Sequence, residues 1–371
     1  MARTSIQIHS LASLILLLVC LPARAASAQQ APTGRDLYQA ACAACHGPDG
    51  RGMPRTTIGF DVDIPDFTEC SFATPEADAD WIAIAHSGGP VRAFDRRMPA
   101  FGEALTIEQL SAILRYIRTF CNDDSWPRGE LNMPRALVTE KAFPENEAVF
   151  TTSIATKGRN AWGNDFLYEQ RIGARSQVEI VVPLDMQEQG TGGWSTGVGD
   201  IAVAAKHAVF HSVEKGAILS VAGEVIVPTG DEDADLGAGV TRFEPFVAFG
   251  QLLPRDSFVQ VQTGIELSTD TGRAPHEAFW RVAIGRSLFE PNFGRAWTPM
   301  LEILGAREVE EEARVEWDVV PQLQVSLSRR QHILLNVGVQ IPMTSRDTRP
   351  TRLLIYLLWD WFDGGFFEGW R

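Results

Sequence analysis

The sequence predicts a multidomain chain, with an N-terminal all-α domain followed by an antiparallel transmembrane β-barrel of about twelve strands. Three observations carry this. Cys42-Ala43-Ala44-Cys45-His46 lies among stretches of helical periodicity. From Glu147 onward the pattern changes to strict alternation, in segments of about ten residues parted by turns. The polar phase of those segments carries charge in mid-strand, as a watery lumen allows.

Residues 1–28 read as a secretory signal peptide. Arg3 supplies the positive charge, Leu11 to Leu21 the apolar core, and Ala23-Arg24-Ala25 or Ala26-Ser27-Ala28 the small-residue cleavage pattern. That core is too short to span a bilayer as a helix. Cys20 lies within it and leaves with the peptide. The 371 residues carry a formal net charge of −14, with no run of Lys or Arg, which excludes a nucleic-acid partner. No lysine precedes Lys141, so a partner docking on the N-terminal domain is expected to be basic.

Residues 29–121 form the first domain. Two cysteines three apart with histidine next are an attachment site for c-type haem. The Cys42 and Cys45 thiols add across the porphyrin vinyl groups, and His46 supplies the proximal iron ligand. A zinc site would need two further ligands at knuckle spacing, and none follows. The sixth ligand is assigned to Met98, in Arg97-Met98-Pro99-Ala100-Phe101-Gly102. Met53 and His86 are its competitors. Arg92, Arg96 and Arg97 are candidates to pair with haem propionates, or else a solvated face. Cys70 and Cys121 remain in a compartment where disulfides persist and form a possible bridge. The alternative is two separate thiols. A short helix is expected from Pro75 to Ala85, ended by Gly88-Gly89-Pro90. Another follows from Thr106 to Phe120, with Thr106 and Gln109 as a capping box and Ile107, Leu110, Leu114 and Ile117 as its apolar stripe.

With Gly34 and Tyr38 at set distances before Cys42, residues 33–121 resemble a class I cytochrome c. The resemblance implies that the first and last helices cross and that one covalent haem c is held between His46 and Met98. It also implies an electron carrier rather than an enzyme, because a bound thioether closes the iron to substrates.

Residues 122–146 read as a linker, charged and aperiodic, with Pro127, Pro134 and Pro144. The barrel occupies 147–371. Trp317, Val319, Leu323, Val325 and Leu327 keep one phase and Glu316, Asp318, Gln322, Gln324 and Ser326 the other. Val259, Val261, Ile265 and Leu267 alternate with Gln260, Gln262 and Glu266, and Val337 and Val339 with Asn336 and Gly338. A soluble sandwich shares this alternation. Mid-strand charge at Glu179, Glu224 and Glu302, and aromatics near strand ends (Phe243, Trp280, Trp297, Trp359, Trp361), favour the barrel. The last strand is expected at Leu353 to Phe362, with a tail ending in Trp370-Arg371.

Gly197-Val198-Gly199-Asp200-Ile201 and Gly223 through Asp231 resemble the outer-membrane family named for the meta pathway of phenol degradation, which is inferred to transport. The whole chain then resembles cytochrome–porin fusions that move electrons across the outer membrane. The expected function is c-type haem electron transfer at the bacterial outer membrane, between periplasmic redox proteins and an extracellular donor or acceptor. The alternative is a pore for a solute such as an aromatic compound, with the cytochrome as redox plug or sensor. A domain of about ninety residues has a radius of gyration near ~13 Å. It is therefore expected to cap the periplasmic mouth of a twelve-stranded barrel rather than sit inside it.

Overall fold

The computed structural model describes residues 31–156, 161–188 and 192–361. The expected signal peptide and the C-terminal tail lie outside these residues. Six α-helices come first: α1 Gly34–Ala41, α2 Ala43–His46, α3 Arg55–Ile58, α4 Cys70–Ala73, α5 Asp78–Ser87 and α6 Ile107–Ile117. Both α1 and α6 start with capping boxes, Thr33 with Asp36 and Thr106 with Gln109. The two helices cross so closely that a Cβ on Gly34 would lie 2.1 Å from the Ala112 carbonyl oxygen. Leu110, Leu114 and Ile117 form the buried stripe of α6 together with Ile113. Ile107 departs from the expected stripe: it sits in the first turn, beyond the crossing, and is exposed.

The rest of the described chain is one closed antiparallel barrel. Its strands are β1 Glu147–Ala155, β2 Ala161–Ile172, β3 Ser176–Glu188, β4 in two segments (Trp194–Val198 and Ile201–Ser212), β5 Ala217–Val227 and β6 Arg242–Leu253. Then come β7 Ser257–Ser268, β8 Glu277–Arg286 extended by Leu288–Phe289, β9 Ala296–Glu308, β10 Glu316–Ser326, β11 Ile333–Pro342 and β12 Arg352–Asp360. The two interrupted strands each pair with the same neighbour along their length, so fourteen segments make twelve strands. Closure comes from β1 on β12, with Glu147 opposite Asp360 and Ala155 opposite Arg352. Without a free edge, each of the twelve strands is hydrogen-bonded to a neighbour on both sides, as hydrocarbon requires.

The side chains are arranged inside out. Val203, Ile284, Leu301, Leu323 and Val337 point outward and are exposed, while Lys206, Gln260, Glu302, Gln322 and Asn336 are buried in the lumen. Phe243, Trp280 and Trp317 lie near one rim, and Trp297 and Trp359 near the other. A soluble sandwich would bury the apolar phase instead. The polar core and exposed apolar belt make this a membrane barrel.

Residues 131–145, part of the segment 122–146 read as a linker, run inside the barrel. The Glu302 carboxylate accepts from the backbone N–H groups of Leu137 (3.1 Å), Val138 (3.1 Å) and Thr139 (2.6 Å), and from the Thr139 hydroxyl. Gln262 accepts from Glu140 N and Gln177 from Glu145 N, and Tyr356 Oη donates to the Arg135 carbonyl at 2.7 Å. Arg135 bridges Glu140, Glu147 and Glu169, and Lys206 pairs with Glu140 at 2.7 Å. The aperiodicity seen in the sequence has this cause: the backbone bonds of the segment are made to barrel side chains, so neither helix nor strand is needed. Entering beside Gly129 and leaving into Glu147, the segment is a re-entrant loop with its tip at mid-barrel.

The two barrel ends differ. One carries the turns 173–175, 213–216, 254–256 and 327–332, together with the start of β1 and the end of β12. The other carries the longer loops 228–241, 269–276 and 343–351. There the Gly199-Asp200 break meets the 228–241 loop: Asp200 accepts from Gly230 N and Ala238 N and pairs with Arg242. The helical domain sits at the short-turn end. Arg92 Nη1 donates to the Phe293 carbonyl at 2.7 Å, and Arg175 Nε to the Ser125 carbonyl at 2.9 Å.

Candidate haem site

The site is built on α2, a single turn whose N-cap is Cys42 and whose last residue is His46. Tyr38 of α1 is fully buried and donates its hydroxyl to the Gly47 carbonyl at 2.7 Å, which holds the end of this turn against α1. The Tyr38 ring packs edge-on against Tyr116 and Phe120, so the crossing of α1 and α6 fixes the height of α2. Gly47 turns the chain away at a φ of 76°, a conformation that favours glycine.

Opposite lies the segment around Met98. Gly89 N donates to the Met98 carbonyl at 3.0 Å, and Phe101 N to the Ala85 carbonyl at 3.0 Å, which pins the segment to the end of α5. A Cβ on Gly89 would fall 2.2 Å from the Asp95 carbonyl oxygen, so this approach needs glycine. The helix α5 begins and ends slightly later than expected, and the Gly88-Gly89-Pro90 stop follows it directly.

Cys42, Cys45, His46 and Met98 line one cavity of about 290 Å³ with mostly apolar walls, among them Phe67, Trp81 and Leu114. The two competitors for the sixth position do not border it. Met53 donates its N–H to the Cys45 carbonyl, and His86 packs on Phe293 of the barrel at 5.2 Å between ring centroids. Of the three arginines, Arg92 and Arg97 border the cavity and Arg96 does not. Each is already engaged: Arg92 pairs with Asp80 at 2.8 Å, and Arg97 with Asp95 at 3.0 Å.

The donor set fits a covalent haem. Cys42 and Cys45 are both free thiols, although they stand three apart, whereas Cys70 and Cys121 are joined in a disulfide. Burial, with Cys45 nearby, pushes the Cys42 thiol up to about 11. His46 stacks on Phe67 with ring centroids 4.8 Å apart and its Nδ1 is buried without a hydrogen-bond partner. Burial lowers its pKa to about 4, so the imidazole is neutral, the form that ligates iron. Glu140, Glu169 and Glu179 bring carboxylate oxygens within 4.8 Å of one another in the lumen, but Arg135 and Lys206 pair with members of the group and balance its charge.

Two residues bordering this cavity escaped the sequence reading. Arg330 and His332 belong to the barrel turn 327–332, yet their side chains border this cavity. They stand far from the cysteine motif in sequence, in a stretch legible only as a turn, and no local signal marks them.

Residues 29–117 match the family described as cytochrome c oxidase, cbb3-type, subunit III. None of the curated proteins compared matches the chain. Among solved structures, the barrel is similar to an outer-membrane channel from Pseudomonas putida F1, at 12% identity over 62% of this chain and 100% of that one, with a TM-score of 0.45. It is also similar to the NanC porin (9% identity, 58% and 99% covered, TM-score 0.42) and the KdgM porin (8% identity, 58% and 99% covered, TM-score 0.40). The chain joins a helical domain that is similar to this family over residues 29–117 to a closed twelve-stranded membrane barrel.

Proposed function

We propose that this protein is a single-haem electron carrier anchored in the bacterial outer membrane. Cys42 and Cys45 would attach the haem covalently, and His46 and Met98 would hold its iron. The observation that carries this reading is the meeting of those four residues on one apolar cavity. When bound, the haem supplies a one-electron Fe(II)/Fe(III) couple, and a thioether opposite histidine raises its potential. The chain itself keeps His46 neutral and would hold the ring and occupy the iron with His46 and Met98, which would leave no substrate site and make the protein a carrier rather than an enzyme.

The short-turn end also carries both barrel termini, as it does at the periplasmic side of outer-membrane barrels. The haem domain therefore belongs at the periplasmic mouth, exchanging electrons with periplasmic redox proteins. The alternative, a solute pore, is disfavoured by the re-entrant loop, whose grip on Glu302, Gln262 and Tyr356 occupies the lumen to mid-barrel. A reduced-minus-oxidised spectrum of intact cells with a membrane-impermeant reductant tests the direction of exchange. Reduction only after the outer membrane is permeabilised supports periplasmic exchange, and reduction in intact cells supports a conduit to the exterior. Solute flux without any haem response would support the pore.

A further inference from the structure

The loop that carries Met98 is not held by the helical domain alone. Gly89 N donates to the Met98 carbonyl and Phe94 N to the Gly89 carbonyl, so residues 89–98 form a closed loop with Met98 at its neck. Arg92 and Phe94 lie on the arc of this loop, and both reach the barrel. The buried Arg92 guanidinium joins the loop to two other elements. Its Nε donates to Asp80 of α5 at 2.8 Å, and its Nη1 to the Phe293 carbonyl in the β8–β9 turn at 2.7 Å. The Phe94 ring lies against Arg330 of the β10–β11 turn, with the guanidinium carbon 4.1 Å from the ring centroid. These two barrel turns are tied to each other, because Gln331 Nε2 donates to the Gly294 carbonyl at 3.3 Å. Asn292 and Phe293 both have left-handed backbone, each with a φ of 58°. Asparagine enters that region readily, whereas a bulky phenylalanine rarely does. Strain of this kind persists where the surroundings hold it, and it gathers at functional sites. Here the strained residue presents the carbonyl that Arg92 uses.

We propose that the barrel positions the sixth ligand: its β8–β9 and β10–β11 turns hold the 89–98 loop so that Met98 stays on the cavity it shares with His46. The inference rests on the haem reading above. Partners outside the ligand shell orient the ligands and tune the metal, and here those partners come from the other domain. The bond from Gly89 to Met98 closes the neck of the loop but leaves its arc to the barrel. Lifting the helical domain away would cost Arg92 Nη1 its acceptor and Phe94 the guanidinium on its ring. The arc would then open locally, as segments with few remaining contacts do. Seating and ligation are therefore coupled: the seated domain keeps a closed carrier, and an unseated one exposes an open iron position. Arg92 and Arg330 act here through contacts they already make. Asn292, Phe293 and Arg330 are positioning residues, working through Met98.

The test uses the full chain in outer-membrane vesicles, with covalent haem read by in-gel stain. Asn292→Pro forbids the left-handed turn and moves the Phe293 carbonyl, while Asn292→Gly keeps the turn. Arg330→Ala removes the second contact, on Phe94. All three are expected to retain covalent haem. Asn292→Pro and Arg330→Ala should each raise the rate of carbon monoxide binding to the reduced protein about tenfold, as the loss of one coupling contact between packed groups gives. Both should weaken the sulfur-to-iron charge-transfer band of the oxidised protein. Amide exchange over residues 89–98, a readout independent of the iron, should quicken in the same two variants. Asn292→Gly should match the wild type in all three. The proposal is overturned if haem-bearing Asn292→Pro keeps the wild-type rate and band, or if the glycine and proline variants shift alike. Should Asn292→Pro not assemble, an unshifted Arg330→Ala overturns it equally. A wild-type protein without covalent haem, or one that binds carbon monoxide as fast as Met98→Ala, would instead refute the underlying haem reading.

Discussion

In the proposed haem site, Met98 is the residue that would decide between a carrier and an open iron. It borders the same cavity as His46, while Met53 and His86 are turned elsewhere. Met98→Ala is expected to lower the reduction potential by several steps of about 59 mV, because thioether sulfur favours Fe(II). It should also let carbon monoxide bind the reduced protein much faster than the wild type, whereas Met53→Ala and His86→Ala should do neither. Replacing Cys42 and Cys45 together with alanine should leave no haem on a denaturing gel. His332 gives a prediction for pH. Burial alone would lower its pKa, but the carboxylates of Asp360 and Glu76 hold it well above the ordinary 6.5. A group with a raised folded-state pKa contributes its full stability below the unfolded value and loses it as pH rises through the folded one. The contribution of His332 to seating of the haem domain should therefore be lost as the pH rises through the alkaline range. His332→Gln should flatten that dependence in thermal melts taken across the range.

Two elements carry weight beyond their length. The disulfide between Cys70 and Cys121 closes a 51-residue separation and ties α4 to the segment after α6. On chain entropy, its removal by paired serine substitutions should cost about 4 kcal/mol and lower the melting temperature of the haem domain, while the barrel transition stays in place. The re-entrant loop depends most on Glu302. Glu302→Ala leaves the N–H groups of Leu137, Val138 and Thr139 without their acceptor, at about 1–3 kcal/mol for each group that stays unpaired. Planar-bilayer recordings should show larger and more frequent conductance steps for this variant than for the wild type. Equal conductance would mean that the loop does not limit passage.

At the scale of the molecule, the apolar belt and the closed strand ladder predict that the protein fractionates with outer membranes and migrates faster unheated than boiled. Recovery in the soluble fraction without detergent would contradict the barrel assignment. With the helical domain seated at the short-turn end, a cysteine placed in the 228–241 loop should react with an impermeant thiol reagent on intact cells. One placed at the exposed Arg96 should react only after the outer membrane is opened. The reverse pattern would put the haem outside.

The haem motif, the capping box of α6 and the inside-out alternation of the strands were legible in the sequence, because each is a spacing within a few residues. Alternation of period two marks a barrel strand wherever it lies. The path of residues 131–145 was not legible. Its stabilising partners, Gln262, Glu302 and Tyr356, stand more than a hundred residues away, and a segment whose backbone is satisfied by distant side chains has no period of its own. The same reason hid Arg330 and His332. Their place beside the cavity follows from which barrel end the helical domain rests on: the pairing of β11 with β12 brings Asp360 to His332, and closure of β1 on β12 brings Glu147 to the same mouth.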